Sequence, residues 1–416
     1  MITKDTFRQI VNAQRVTLLG RDAGLEREIL TGLTFTPTHA QIISGIRRSG
    51  KSTLLLQLIK DRYPTGFFLN FEDPRLYNFE FDDFFRLDEI ISQSESSAIF
   101  FDEIQVIPQW ERYVRQKIDE GKQLFITGSN ASLLSKELGT KLTGRHLTHE
   151  LFPFSYREFC DFTSVTASAD SLETYLHTGG FPGFVDNPDP EQLRQLFDDI
   201  LIRDIAVRYS VRDIRTLRQL ALFLVSNIGK PVTANKLTSS FAISSTSTML
   251  EYLSHLEQSW LLFLLPRFSY SLRKQQVNPR KVYAIDTGLI EAVSASFSED
   301  RGRKFENMIF LELRRQYREI YYFSEQKECD FLVFERGALR GAIQVCYHLS
   351  AENLSRELDG LWEAMNHFQL SRATLITFDQ SDQFEQQGKI IDVIPAWKFL
   401  LNPLLPPHHP SPGSSS

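Results

Sequence analysis

The 416 residues carry 42% hydrophobic and 24% charged side chains, proportions of a folded globular chain that exclude a disordered or fibrous protein. At about 100 to 200 residues per domain, the length predicts two to four domains. A net charge of -6 offers nucleic acid no global attraction, and the three scattered cysteines, Cys160, Cys329 and Cys346, supply neither a disulfide framework nor a CxxC-type zinc site, which fits a reducing compartment.

The first residues, MITKDTFRQIVNAQR, lack the apolar run and cleavage site of a secretory signal. No later stretch has the roughly 18 consecutive apolar residues of a membrane span, so the expectation is a soluble cytoplasmic protein with no membrane partner. From Gln41 to about Pro153 short apolar runs alternate with helix-length segments. QIIS, GFFLNFE, SAIFFDE and QLFITGS read as buried parallel strands because they lack strict alternation, which predicts an α/β nucleotide-binding core over residues 1–154.

Residues 155–210 read as helical, interrupted by the turn-rich Gly179-Gly180-Phe181-Pro182-Gly183, and predict a helical lid. Residues 211–290 run helix, short helix, longer helix and hairpin, the order of a winged helix-turn-helix. Across Val211 to Tyr283, ten basic residues, Arg273, Lys274, Arg280 and Lys281 among them, face three acidic ones, a local balance of plus seven. The longer helix opens with Ser244-Ser245-Thr246-Ser247-Thr248, which can touch phosphates but lacks the side chains that read base edges. This segment can therefore contact the DNA backbone or dock a protein. Residues 297–401 predict a second α/β domain, with CDFLVFE, GAIQVCY and TLITF as strands, and the Pro/Ser-rich residues 402–416 predict a disordered tail.

The strongest chemical signal is Gly45-Ile46-Arg47-Arg48-Ser49-Gly50-Lys51-Ser52, which fits G-x-x-x-x-G-K-[ST] between a strand and the helical Thr53-Leu54-Leu55 run. Such a loop wraps phosphates with its N–H groups, Lys51 reaches the β and γ phosphates, and Ser52 ligates Mg²⁺. Arg47 and Arg48 are either solvated or contact a neighbour or the nucleotide. Four apolar residues then lead into Asp102 and Glu103, the shape of a Walker B strand. Asp102 is expected to hold the Mg²⁺ shell and Glu103 to polarise the attacking water. Ser129 and Asn130 follow the strand Leu124–Thr127 at the edge where open α/β sheets bind ligands, either as γ-phosphate sensors or as a helix cap.

The P-loop, Asn70 to Leu76, FFDEIQ, ITGSN and Leu142-Thr143-Gly144-Arg145 together resemble the bacterial and archaeal AAA-type ATPases that carry a C-terminal domain of unknown function. HTGGFPGFV and KVYAIDTGL extend the resemblance over nearly the whole chain. It implies Mg-ATP hydrolysis in a homo-oligomer coupled to conformational switching, with an unknown protein partner. By position Arg145 would be the arginine that acts on the nucleotide of the adjacent subunit. Glu72 and Asp73 either couple nucleotide state to a neighbour or cap the next turn.

The C-terminal domain resembles the PD-(D/E)xK restriction-endonuclease core, in which a helix Glu, a strand Asp and a Glu-x-Lys surround a divalent metal. The matching residues are Glu306, Asp330, Gln344 and Cys346. Gln344 loses a charged ligand, although its carbonyl can coordinate, and Cys346 replaces the lysine. An inactive domain is the expectation, against an ATP-regulated nuclease. Cys346 remains open as a nucleophile or, with His348, as a zinc ligand.

Overall fold

The structure is a computed structural model that describes residues 2–403 apart from 34, 37, 95, 132–140 and 295–299. The expected helix after Asn130 and nearly all of the expected disordered tail lie outside the described residues. The chain divides into two units, residues 1–152 with 258–260, and residues 153–257 with 261 onward.

The first unit opens with α1 (Lys4–Leu19), started by Thr3, whose hydroxyl accepts the Thr6 N–H. Strands β1 (Ala40–Ser44), β2 (Phe67–Asn70), β3 (Ala98–Asp102), β4 (Gln123–Gly128) and β5 (His146–Glu150) form a parallel sheet in the order β2-β3-β4-β1-β5. Helices α2 (Lys51–Asp61), α3 (Asp83–Gln93) and α4 (Trp110–Asp119) provide the crossovers. The apolar strand runs are continuous because both sheet faces are buried. Leu69, Ile99, Phe101, Leu124 and Ile126 join α1, α3 and α4 in one core, while Phe68, Phe100 and Phe125 point the other way into the α2 core. Phe100 stacks on Phe125 at 4.6 Å, an aromatic contact worth about 1 kcal/mol beyond the area it buries. Much of the phenylalanine content is thereby spent on core.

The second unit begins with α5 (Tyr156–Thr163), α6 (Ala169–Thr178) and α7 (Pro190–Asp199), the last running into a π-helical stretch, Ile200–Val207. Ser155 and Glu158 close a capping box at the start of α5. The helical segment expected as a lid belongs to this unit. There Tyr347 Oη donates to Glu173, and the Arg157 guanidinium donates to the Leu401 carbonyl.

Next come α8 (Ile214–Val225), β6 (Pro231–Val232), α9 (Ala234–Ser240), α10 (Thr246–Gln258), β7 (Leu262–Pro266), the exposed α11 (Leu272–Val277) and β8 (Arg280–Ala284). The three strands pair antiparallel in the order β6-β8-β7. The Ser245 hydroxyl accepts the Thr248 N–H, and the Thr246 hydroxyl donates to Asn235. Two of the polar side chains expected to meet phosphates are thus engaged in local structure.

After α12 (Thr287–Val293), α13 (Arg301–Gln316) leads into β9 (Glu319–Ser324), β10 (Glu328–Glu335) and β11 (Ala338–Cys346). Then follow α14 (Leu354–Phe368), β12 (Arg372–Thr377), β13 (Asp382–Gln386), β14 (Lys389–Pro395) and α15 (Ala396–Leu401). The mixed sheet has the order β13-β14-β12-β11-β10-β9. The β9–β10 register slips between Cys329 and Leu332, and such an irregularity re-aims a side chain, here that of Asp330.

The HTGGFPG and AIDTG motifs meet inside this unit. Asp286 caps α12 by accepting the Leu289 N–H at 2.8 Å and accepts the Gly180 N–H at 2.6 Å. A Cβ on Gly288 would stand 2.0 Å from the Thr178 carbonyl oxygen, so only glycine admits this approach.

Candidate functional site

The P-loop leaves the carboxyl end of β1 and turns into α2 through Gly50, whose φ of 98° is left-handed and strains any other residue. Ile46 and Ser49 are buried, and Thr53 is half-buried in the first turn of α2. Arg48 also takes a positive φ of 64°. Arg47 donates to Glu72 at 3.1 Å, tying the loop to the segment after β2. The Gly45 N–H donates to the Gly128 carbonyl, which anchors the loop to β4.

The Lys51 ammonium rests on the carbonyls of Gly45 and Ile46, each at 3.1 Å, and lies 3.5 Å from the Glu103 carboxylate. The Ser52 hydroxyl donates to Asp102 Oδ2 at 2.7 Å. Parallel pairing places Asn70 beside Asp102, and Asn70 Nδ2 donates to the same oxygen at 3.0 Å. Thr127 on β4 donates to Asp102 Oδ1 and accepts the Glu103 N–H at 3.2 Å. Glu103 Oε2 accepts the Ser129 N–H at 3.1 Å and a donor from Gln105.

Asp102 is 1% exposed and Glu103 9%. Burial first, then the neighbouring Glu103 charge, push the Asp102 carboxyl up to about 6. Burial pushes Glu103 the same way, but Lys51 with Gln105 and Arg47 outweighs it and holds Glu103 below the usual carboxylate range. The second acid is therefore the more readily ionised of the two, as a proton acceptor requires. Glu103 also adopts a left-handed backbone, φ 54° and ψ 39°. A non-glycine residue held there costs on the order of 1 kcal/mol, and such strain concentrates at functional sites.

The fit to a nucleotide phosphate rests on orphaned polar atoms. The Ser49 and Ser129 hydroxyls are buried with no hydrogen-bond partner among the described residues. One stands in the loop and the other beside Glu103, where phosphate oxygens or a Mg²⁺ water shell would satisfy them. Asn130 is buried, and its carbonyl accepts the Ser44 hydroxyl at 2.8 Å. Next to Ser52 and Asp102 lies a cavity of about 330 Å³, lined by α1 and by Asn70 and Glu72 to Arg75.

Arg145 stands at the opposite, amino-terminal edge of the sheet, where its carbonyl accepts the Ala40 N–H. Its guanidinium pairs with Asp119 at 2.6 Å. From that edge it does not join the P-loop of its own chain.

Three residues of this site, Arg27, Asn70 and Thr127, take a part in it that no sequence motif assigns them. Arg27 is buried and donates to the carbonyls of Ser49 and Phe152, each at 2.8 Å. No local pattern marks it. Asn70 and Thr127 had a signal, since each lies at the carboxyl end of a strand whose neighbours carry the chemistry.

In the second unit Glu306 on α13 and Asp330 on β10 do come together, around a residue expected elsewhere. Lys281 on β8 donates to Glu306 at 3.2 Å and to Asp330 at 2.8 Å, and its ammonium lies 2.8 Å from the Glu328 carboxylate. It is 2% exposed, so its expected place on a DNA-facing surface is corrected: the ammonium is sequestered by three carboxylates. Tyr283 Oη donates to Glu306 at 2.6 Å.

The Gln344 carbonyl accepts the Asp330 N–H, which occupies one of the two lone pairs of that carbonyl, and its amide donates to Glu357. Cys346 donates to the His348 carbonyl, and burial pushes its thiol up to about 11, which disfavours the thiolate a nucleophile needs at neutral pH. Among the described residues no group of three His, Cys, Asp or Glu side chains could hold a metal ion.

The model of a family described as an AAA domain matches residues 37–160, and that of a domain of unknown function (DUF8612) matches residues 169–300. Residues 37–160, with their parallel sheet and P-loop, are thus an AAA-type nucleotide-binding domain of the ATPase class.

An uncharacterized protein of Methanocaldococcus jannaschii is 33% identical over 433 residues, covering 96% of each chain. Another uncharacterized protein, from Haemophilus influenzae, is 32% identical over 388 residues, covering 87% of this chain and 94% of its own. The chain belongs to the family of these full-length relatives. A solved structure titled as Drosophila ORC bound to AT-rich DNA and Cdc6 matches 69% of this chain and 90% of its own at 10% identity. Its TM-score of 0.19 is too low to transfer fold detail or function. No helix among the described residues is long and apolar enough to cross a membrane.

Proposed function

We propose that this protein hydrolyses Mg-ATP at the P-loop site and couples turnover to a change of oligomer or conformation. The observation that carries the reading is the convergence of Ser52, Asp102, Lys51 and an ionised Glu103 at the carboxyl ends of β1 and β3. Ser52 and Asp102 would hold Mg²⁺, which supplies charge neutralisation to the phosphates. The loop N–H groups and the amino end of α2 bind phosphate, and Lys51 exchanges the Gly45 and Ile46 carbonyls for phosphate oxygen. Glu103 orients the attacking water and takes its proton, while Ser129, whose N–H holds Glu103, places a hydroxyl beside it.

Arg145 at the far sheet edge acts on the nucleotide of a neighbouring subunit, so full turnover requires the oligomer. Residues 211–290 act as a winged helix that touches the phosphate backbone of DNA through the exposed Arg273 and Lys274 of α11. Residues 297–401 serve as a nuclease-like but inactive domain that engages nucleic acid or a partner protein.

The test is steady-state ATP hydrolysis by wild type and Glu103→Gln across protein concentration, with and without duplex DNA. Removing a general base costs about 10²- to 10⁴-fold, so the variant should bind ATP but turn it over at background. Equal rates in the two proteins would end the catalytic assignment and leave a nucleotide-gated scaffold.

A further inference from the structure

The nuclease-like resemblance implies a divalent metal between Glu306 and Asp330, and the residues present do not fit one. Their carboxylates, with that of Glu328, converge on one nitrogen at 2.8 to 3.2 Å. That spacing suits N–H···O bonds and exceeds the roughly 2.0–2.6 Å of oxygen ligands on Mg²⁺ or Ca²⁺. An ammonium has three donors, and three carboxylates face this one. Other donors bind these carboxylates as well, since Asp330 Oδ2 accepts the Val345 N–H at 3.1 Å and Glu306 Oε1, which already receives Lys281, accepts Tyr283 Oη at 2.6 Å.

We infer that the Lys281 ammonium stands in the place of the metal, as an internal cation that closes this core to divalent ions. Lys281 reaches the cluster from the three-stranded sheet, whereas Asp330 lies on the six-stranded sheet and Glu306 on α13. The charge that would have been a catalytic metal is thereby a tie between the two sheets. The lysine absent from position 346 has not simply migrated to the same task, because an ammonium 2% exposed and enclosed by three carboxylates is shielded from a scissile phosphate. The inference stands independently of the ATPase reading.

Removing the ammonium leaves three carboxylates and the volume of its side chain, a combination that favours a hard divalent ion. Thermal unfolding of the full chain with and without about 1 mM Mn²⁺, enough to saturate a site of micromolar affinity, tests this. Wild type should show no cluster-dependent shift, Lys281→Ala should melt lower and recover by about 4 °C or more with Mn²⁺, and Lys281→Ala/Asp330→Asn should lose that recovery.

A Mn²⁺ shift in wild type that Asp330→Asn abolishes would overturn the inference, because the ammonium would then not exclude metal. So would a folded Lys281→Ala with no shift, or a shift that survives Asp330→Asn. Should Lys281→Ala fail to fold in metal-free buffer, Mn²⁺ is added during refolding from urea. Recovery supports the internal cation, and failure to recover overturns it.

Discussion

Replacing Asp286 by alanine removes the carboxylate on which two sequence motifs meet. Its oxygens accept the buried N–H groups of Gly180 and Leu289, the latter as the cap of α12. An unsatisfied buried donor costs about 1–3 kcal/mol, and loss of a cap contributes at the lower end of that range. The tight packing at Gly288 against Thr178 leaves the backbone little room to relax. Asp286→Ala should therefore lower the stability of the second unit by about 2–4 kcal/mol near pH 4, read as the shift of its urea transition by circular dichroism.

The same carboxyl makes a pH prediction. Burial outweighs the backbone donors and pushes it up to about 6, above its ordinary 3.8. The folded chain holds this proton more tightly than the unfolded one, so the contribution is complete below pH about 4 and is lost as pH rises through about 6. The loss amounts to about 3 kcal/mol. Asp286→Asn, which cannot titrate, should remove that decline between about pH 4 and 7. A change below about 1 kcal/mol in the alanine variant, together with identical pH slopes in wild type and Asp286→Asn, would refute the reasoning.

Arg145→Ala should keep nucleotide affinity and lose at least about 10³-fold in turnover, with activity restored when it is mixed with Lys51→Ala subunits; normal turnover would exclude the action in trans. Neutralising Arg273 and Lys274 should lower the salt slope of duplex binding by about 0.9 for each phosphate no longer neutralised, whereas an unchanged slope places DNA elsewhere. Arg27→Met should weaken nucleotide binding about tenfold by leaving the Ser49 carbonyl without its buried donor, which equilibrium titration with a fluorescent nucleotide measures.

Much of the first unit was legible as sequence. QIIS, GFFLNFE, SAIFFDE and QLFITGS each became a strand, because a strand buried on both faces must be apolar throughout and announces itself in four to six residues. The polar β5, HLTHE, carries no such run, and its half-buried side chains reflect its place at the sheet edge beside β1. The P-loop and the Asp102-Glu103 pair were equally plain, since phosphate binding by backbone amides demands small residues at fixed spacing on one stretch of chain.

What only the tertiary structure decided was which distant groups share a proton or a charge. Glu103 is held ionised because Lys51 and Ser129 come to it from two other segments, and Arg27 reaches the loop from 22 residues before Ser49. Lys281 shows the limit most sharply. In the sequence it is one of ten basic residues on a stretch read as a DNA face, and it is spent instead on Glu306, Glu328 and Asp330. Spacing along the chain determined the elements and the phosphate loop, because those depend on neighbours within a turn or two. The fate of each charge was decided by folding, because burial and pairing depend on residues that only the packed sheets bring within about 3 Å.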